Sequence, residues 1–301
     1  MLTNLSLPNG AVLAGTYVSP ASTGTVFYLD SGSGSNGYDG LSQDRAFSTL
    51  DYAFSRCTAN NGDVIVVAPG HAETTTNIGL DIAGVTVIGM GPGRSKPAFT
   101  ATTAATDLFS VSAANISLYN LRLVGAASGN TALINTTTAG TDFSAYDCFL
   151  EPGAAPLNNV TINAARYTFK RCTWRSTANG SDNAILHEVG DITDWTVQDC
   201  VFNYGVGLGL DEAVIASGAF ACEGGLFDNN IVIGFDVLIC DFNSSVSAQG
   251  DGIISNVRAV AGAGVADIDT ANDQGGYSTI NCLVTDSVTE SGAKTPLATP
   301  A

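Results

Sequence analysis

Apolar residues recur along this chain in short segments that alternate, change parity once and then alternate again. In one segment, Ile116 and Leu118 are apolar, Asn120 follows, and apolar residues resume at Leu121 and Leu123. Side chains point alternately to the two faces of a strand, so the chain must turn at Asn120 for both apolar pairs to face one core. The pattern therefore predicts pairs of short β-strands joined by a one-residue turn. It starts at eight places: Val85, Ile116, Phe143, Tyr167, Trp195, Phe220, Gly252 and Tyr277.

The residue at the fifth position of each segment is suited to a turn. Gly, Asn and Asp adopt left-handed backbone at the lowest cost, and only Arg171 departs from these three types. The fifth positions lie about 27 residues apart, and each interval holds a third short apolar run. Three short strands per repeat predict an all-β parallel solenoid of about eight or nine stacked coils. The fifth positions are Gly89, Asn120, Asp147, Arg171, Asp199, Gly224, Asn256 and Asn281.

The residues ahead of the repeats predict one helix. Apolar residues recur at helical spacing from Phe47 to Cys57, and Ser48 with Asp51 fits a capping box. The Asn-Asn-Gly run at 60–62 is expected to end the helix. Such a helix would cover the open strand edge of the first coil.

With these repeats and this opening helix, the chain resembles the right-handed parallel β-helix, or pectin-lyase-like, superfamily over roughly residues 26–290. The resemblance implies a single-stranded right-handed parallel β-helix with an amino-terminal capping helix and extended terminal arms. The expected organisation is an extended arm (1–25), a first strand and capping helix (26–62), the parallel β-helix (63–286) and a carboxyl-terminal arm (287–301). Similar openings occur in virion-associated proteins of bacteriophages and in secreted polysaccharide enzymes.

Charge and composition narrow the range of partners. The 301 residues include 28 Asp and Glu but 11 Lys and Arg, and the net charge of −17 argues against nucleic acid and anionic membrane surfaces as partners. The first charged residue is Asp30, so the basic region of a secretory signal is not expected, and no apolar run is long enough to span a membrane. Seven Cys without paired spacing indicate free buried thiols and synthesis in a reducing compartment. For a virion protein this compartment would be the cytoplasm of the host cell.

One constellation could support catalysis. The fifth positions place Asp147, Arg171 and Asp199 on consecutive coils, so the two carboxylates would lie roughly 9–10 Å apart, near the upper limit for inverting glycosidases. The favoured alternative is an ion ladder in which Arg171 neutralises two like charges beside turns. Motifs of polysaccharide-cleaving relatives are missing: paired Asp, Gly-His-Gly and Arg-Ile-Lys do not occur, and residues 94–97 do not match the basic stretch of pectate lyases.

The remaining candidates favour structural roles. His71 beside Glu73 is expected to fill a turn, and His187 beside Glu188 is expected to pair or to face the core rather than to catalyse. The oxygen-rich loop from Asp267 to Asp273 could hold a calcium ion, but it lacks the glycine and the closing glutamate of a calcium loop, which favours a solvated turn. No cofactor and no metal ion are therefore expected.

Large aromatic residues at inward positions of the repeat are expected to pack in the core rather than to form a sugar-stacking face. They are Trp174, Trp195, Phe202 and Phe227.

These features favour a non-enzymatic structural protein of a virion: a capsid decoration, or cement, protein on the capsid surface of a tailed bacteriophage, acting as a homotrimer. The expected partners are further copies of the chain and the major capsid protein or another virion protein. Two alternatives stay open: a tail spike or fibre that binds or cleaves host surface polysaccharide, and a secreted polysaccharide lyase or hydrolase. The arm would anchor the protein through apolar residues that each contribute about 1.5–3 kcal/mol when buried. They are Leu2, Leu5, Leu7, Val12 and Leu13.

Overall fold

The chain folds into a right-handed parallel β-solenoid with almost no helix, as the repeats predicted. Three short strands per coil stack on the strands of the next coil and enclose an apolar interior. The computed structural model describes residues 11–13, 16–18, 23–102, 106–125, 131–152, 158–175, 181–188, 190–204, 210–217, 221–235, 238–241, 251–261 and 277–285.

Three parallel sheets form the faces of the solenoid. Sheet 1 has ten strands: Val26–Leu29, Val64–Val67, Thr86–Gly89, Ser117–Tyr119, Ser144–Tyr146, Thr168–Lys170, Thr196–Gln198, Leu226–Asp228, Gly252–Ser255 and Tyr277–Ile280. Sheet 2 has nine: Ala72–Thr75, Ala98–Ala101, Arg122–Gly125, Phe149–Glu151, Thr173–Arg175, Val201–Asn203, Ile231–Phe235, Arg258–Ala261 and Leu283–Thr285. Sheet 3 has seven: Ile78–Leu80, Phe109–Val111, Ile134–Thr136, Asn158–Ile162, Ser181–His187, Leu210–Ser217 and Leu238–Asp241.

Two smaller pairings complete the described strands. Ala11–Leu13 and Thr16–Val18 form an antiparallel hairpin, and Ile192–Thr193 pairs in parallel with Cys222–Glu223. The three large sheets contain ten, nine and seven strands, so the number of coils differs from the expected eight or nine on two of the three faces.

Successive coils stack in step, so each side chain lies over its counterpart in the next coil. Leu118, for example, is paired with Val87 on one side and with Ala145 on the other. Residues that share a face therefore form columns along the solenoid, with buried and outward columns alternating across each strand.

The predicted one-residue turn lies between sheets 1 and 2 and adopts left-handed backbone. We call these residues the trailing corners; their φ angles lie between 52° and 57°. Arg171, whose residue type departs from the other corners, has a φ of 53° like its neighbours. The trailing corners are Asn120, Asp147, Arg171, Asp199, Asn229, Asn256 and Asn281.

Two of the predicted corners are wrong. Gly89 ends a sheet 1 strand without a positive φ, and it is glycine for another reason: a Cβ there would lie 2.4 Å from the carbonyl oxygen of Asn120. Gly224 is left-handed, at φ 61°, but it precedes the sheet 1 strand, and the trailing corner of that coil is Asn229. The Gly-Gly pair at 224 and 225 has the residue type of a corner, which is why the repeat pattern predicts the corner of this coil five residues too early.

A second column of left-handed residues precedes the sheet 1 strands and was not predicted. These leading corners, with φ between 49° and 61°, each lie five residues before a trailing corner, so each strand between them is held to a fixed length. Their backbone N–H groups donate across coils, as from Asn115 to the carbonyl of Thr141 at 2.9 Å. The leading corners are Asn115, Asp142, Arg166, Asp194, Gly224 and Asp251.

The interior contains stacks of like side chains. Trp174 lies against Phe202 with ring centroids 4.5 Å apart, and Phe202 continues to Phe227 at 6.1 Å. Trp174 and Trp195 are fully buried, which confirms the core position expected for these aromatic residues. Three free thiols, those of Cys148, Cys172 and Cys200, form a second buried column. Their Sγ atoms donate to backbone carbonyls of the preceding coil.

The amino-terminal helix spans Leu50–Ser55 and is shorter than predicted. The capping-box prediction from Ser48 and Asp51 is wrong: the N-cap is Thr49, which makes no side-chain cap bond. The helix needs no such cap because Glu73 Oε2 accepts the N–H of Leu50 at 2.9 Å. Its end at Ser55 also precedes the Asn-Asn-Gly run. Among the described residues, no helix is long and apolar enough to cross a membrane.

The left-handed corners can be tested at Asn120, whose Nδ2 donates to the carbonyls of Gly89 at 2.7 Å and Gly91 at 2.9 Å. We expect Asn120→Ala to lower the free energy of unfolding by about 2–3 kcal/mol, from lost hydrogen bonds and left-handed strain. Asn120→Gly loses the hydrogen bonds alone and should cost about 1 kcal/mol less. Urea unfolding measures both, and equal losses would contradict strain at this corner.

Candidate functional site

The structure brings together two of the three residues of the predicted constellation of Asp147, Arg171 and Asp199. Asp147 and Arg171 lie on neighbouring coils and form a two-point ion pair, with Nε to Oδ1 and Nη2 to Oδ2 both at 2.9 Å. Asp199, on the next coil, instead accepts a hydrogen bond from Asn229 Nδ2 at 2.7 Å. Both carboxylates are thus engaged by neighbours in the corner column, as a ladder of turn residues requires.

The same arrangement occurs on the other side of the same strands. Arg166 binds Asp142 with Nε to Oδ1 at 2.7 Å and Nη2 to Oδ2 at 2.8 Å, and the hydrogen bond from Arg166 lowers the pKa of Asp142. Asp194 follows in the next coil, so the order Asp, Arg, Asp is repeated at the leading corners. This duplication favours the ion-ladder interpretation over catalysis.

The two histidines are both buried and both engaged. His71 Nδ1 accepts the N–H of Ser31 at 2.9 Å, and its Nε2 lies 3.3 Å from Glu73 Oε2. Because Glu73 also receives the helix N–H of Leu50, this group ties the opening loop and the helix to the first coil. These contacts indicate a structural role for His71 and Glu73.

His187 lies inside the solenoid, as predicted for a core-facing histidine. Its Nε2 is 2.7 Å from the hydroxyl of Tyr167, and its Nδ1 is 2.7 Å from Cys222 Sγ. Burial lowers the pKa of His187 to about 3 and raises the pKa of Cys222 to about 12. Both groups are therefore neutral at ordinary pH and sealed from solvent.

Several predicted residues fall elsewhere. Leu2, Leu5, Leu7 and the loop from Asp267 to Asp273 lie outside the described residues. Val12 and Leu13 belong to the hairpin strand Ala11–Leu13, of which the structure describes the backbone. Within the described ranges, no three His, Cys, Asp or Glu side chains gather closely enough to hold a metal ion.

A groove of about 760 Å³ lies on the outer face of sheet 2, beside the corner with sheet 1. Three consecutive sheet 2 strands supply its floor with outward side chains, and the 3-10 turn Gly93–Ser95 borders it. We call it the sheet 2 groove. It is lined by Arg94, Lys96, Arg122, Phe149, Glu151 and Arg175.

The sheet 2 groove concentrates positive charge on an acidic protein. It holds four of the chain's eleven Lys and Arg residues against one carboxylate, a local charge of +3 on a chain of −17. Arg94 and Arg175 are exposed, and within the described part of the chain neither forms an ion pair. Such a patch attracts anions, while the surrounding acidic surface repels them.

The other groove cations are held in place. Arg122 Nε donates to Glu151 Oε2 at 2.6 Å, and the Nη2 of Arg122 contacts the same oxygen. Lys96 Nζ donates to the backbone carbonyl of Asp147 at 2.6 Å, so the corner column fixes one wall of the groove. The groove thus combines two positioned cations with two that are free to meet a ligand.

Sequence reasoning missed this groove. Residues 94–97 match no lyase motif, and Arg122 and Arg175 occupy outward positions two coils apart without a shared motif. The available signal was the scarcity of cations, which makes two arginines at outward positions of sheet 2 unusual in this chain.

Comparison with known proteins supports the fold. No family model matches the chain, and no curated protein matches it. Among solved structures, it is similar to a pectin methylesterase mutant in complex with a hexasaccharide: TM-score 0.52, 13% identity, covering 80% of each chain. The chain has the pectin-lyase-like fold.

Two more structures with this pectin-lyase-like fold are similar along most of their length. A rhamnogalacturonan lyase has a TM-score of 0.51 and 12% identity, covering 87% of this chain and 74% of that one. The pectin methylesterase from Aspergillus niger has a TM-score of 0.51 and 14% identity, covering 94% and 93%. At such identities the comparison establishes the pectin-lyase-like fold alone.

Burial of His187 predicts a pH-dependent stability. Its pKa is about 3 in the folded chain against 6.5 ordinarily, so the unfolded state binds a proton first as the pH falls. The contribution of neutral His187 to the free energy of unfolding is complete above pH 6.5 and should be lost progressively as the pH falls from 6.5 to about 3. We expect the free energy of unfolding of His187→Asn to depend less on pH in this window, by the slope that corresponds to the uptake of one proton on unfolding. An NMR titration of the His187 ring near 6.5 in the folded protein would contradict the prediction.

Proposed function

We propose that this protein binds an acidic polysaccharide in the sheet 2 groove without cleaving it. The observation that carries the proposal is the gathering of Arg94, Lys96, Arg122 and Arg175 in one groove of a strongly acidic chain. A ligand with negative charge is favoured there, since it gains attraction in the groove and meets repulsion elsewhere on the surface.

Two features favour a saccharide over other anions. Phe149 is half-buried on the groove floor, so part of its ring can stack on the apolar face of a sugar. The groove floor also spans three sheet 2 strands, and the turn at Gly93–Ser95 borders it, which suits an extended chain. Proteins of the same fold include one described with a bound hexasaccharide.

Binding without cleavage agrees with the state of the carboxylates. Glu151 is the one carboxylate among the described residues that line the groove, and Asp147, at the corner beside it, is engaged by Arg171. A cleaving enzyme of the hydrolase type would need an acid and a base free to exchange protons with the ligand. This favours a binding role over a secreted hydrolase.

The proposal predicts that Arg94→Ala/Arg175→Ala weakens binding of an acidic oligosaccharide about tenfold, because two unpaired cations are removed. The probes are hexagalacturonate and a heparin hexasaccharide, with cellohexaose as the neutral comparison, measured by calorimetry at low salt. The matched control is Arg45→Ala/Arg56→Ala, which changes the net charge equally at exposed positions outside the groove. Failure of the wild-type chain to bind either acidic probe, or equal losses in both variants, would refute the proposal.

A second candidate function is a structural role on a virion, as a capsid decoration or cement protein that assembles as a homotrimer on the major capsid protein. The observation that favours it is the hairpin of Ala11–Leu13 and Thr16–Val18 in the arm, which contains the proposed anchors Val12 and Leu13. A tail spike or fibre on a virion would unite this role with the groove.

The arm provides the test of this second candidate. Deletion of residues 1–22 keeps Thr23 and Thr25, which bond to Asn61 and Asp63 of the solenoid. We expect the full chain to have three times its 30.7 kDa mass in solution and to coat virus shells that lack it. The deletion variant should be monomeric and fail to coat them. Deletion of residues 287–301 is the control, and a full chain that is monomeric and ignores shells would contradict the virion role.

A further inference from the structure

The ion pair between Arg122 and Glu151 lies on the floor of the sheet 2 groove, on the first two of its three strands. Arg122 Nε donates to Glu151 Oε2 at 2.6 Å, and its Nη2 contacts the same oxygen, so one carboxylate oxygen takes both N–H groups. Glu151 is the more buried partner, with 17% of its side chain exposed, against 40% for Arg122. Arg122 is therefore the more accessible member of the pair.

The two N–H groups of Arg122 thus make charge-assisted contacts with one carboxylate oxygen. The two residues lie on adjacent strands of sheet 2, Arg122–Gly125 and Phe149–Glu151, in different outward columns, and the pair crosses the groove floor diagonally. A ligand carboxylate or sulfate over the groove floor would compete with Glu151 for the Nε and Nη2 donors of Arg122.

We infer that Glu151 competes with the anionic ligand for Arg122. Glu151 binds Arg122 when the groove holds no ligand and releases it when an anionic group of the saccharide arrives. The inference rests on the proposed function and deepens it. Arg94 and Arg175, which form no ion pair among the described residues, make the first contacts, and the displacement of Glu151 follows.

Displacement sets the class of ligand. A single anionic group gains one contact at Arg122 but leaves Glu151 as an unpaired, largely buried carboxylate, so the exchange yields little. A chain with several anionic groups also engages Arg94 and Arg175 at the two ends of the groove, and these contacts offset the cost. The groove therefore selects acidic oligosaccharides over single acidic sugars.

The test is the substitution Glu151→Gln, which keeps the size of the side chain and removes its charge. We expect hexagalacturonate to bind about two- to fivefold more tightly to Glu151→Gln than to the wild-type chain, the range expected for a part-exposed ion pair. Galacturonic acid monomer should also bind more tightly to Glu151→Gln than to the wild-type chain, which should bring its weak binding into the measurable range. Glu223→Gln is the matched control, since it removes one negative charge from the Cys222–Glu223 strand outside the groove.

A double-mutant cycle distinguishes competition from a general charge effect. In the background of Arg122→Gln, Glu151→Gln should bring no further gain, because the guanidinium for which Glu151 competes is gone. An undiminished gain in that background, or a gain as large from Glu223→Gln, would overturn the inference and assign the effect to long-range charge. Weaker binding by Glu151→Gln alone would overturn it too, since Glu151 would then support the ligand. Failure of the wild-type chain to bind hexagalacturonate would refute the proposed function instead. Failure of the proposed function is therefore distinguishable from failure of this inference.

Discussion

The structure depends on one backbone constraint, the pair of left-handed corners that enclose each central sheet 1 strand at a spacing of five residues. Left-handed backbone is costly for most residues and cheap for Gly, Asn and Asp, so the corners are placed by residue type. A fixed spacing holds successive strands to one length and keeps the coils in step. Every column of side chains, inside and outside the solenoid, follows from that register.

In-step stacking brings like residues together, and the chain deals differently with the buried and the exposed columns. Inside, stacked aromatic rings and thiols fill space, and the thiols donate to backbone carbonyls, as Cys172 Sγ does to that of Ala145. Outside, carboxylates on adjacent coils would repel, and Arg166 and Arg171 separate them in the two corner columns. Exposed pairs of this kind contribute at most about 1 kcal/mol each, so their role is to relieve repulsion.

The sheet 2 groove uses the same columns for a different purpose. There the outward positions carry cations, and the turn at Gly93–Ser95 adds Arg94 from an earlier coil. A basic groove on an acidic rod concentrates anionic ligands at one place, because the rest of the surface repels them. The Arg122–Glu151 pair positions a guanidinium on the floor, and the solenoid supplies a rigid support for it.

The sequence by itself determined the solenoid, the trailing corners such as Asn120 and the inward place of Trp174, because a turn and a strand face are set by residue type and parity over a few residues. It missed the leading corners, since Asn115 stands just ahead of the alternating pattern and leaves its parity unchanged. Only the tertiary structure decided the groove: Arg94 and Arg175 lie far apart along the chain and meet through coil stacking, a long-range contact that leaves no local pattern.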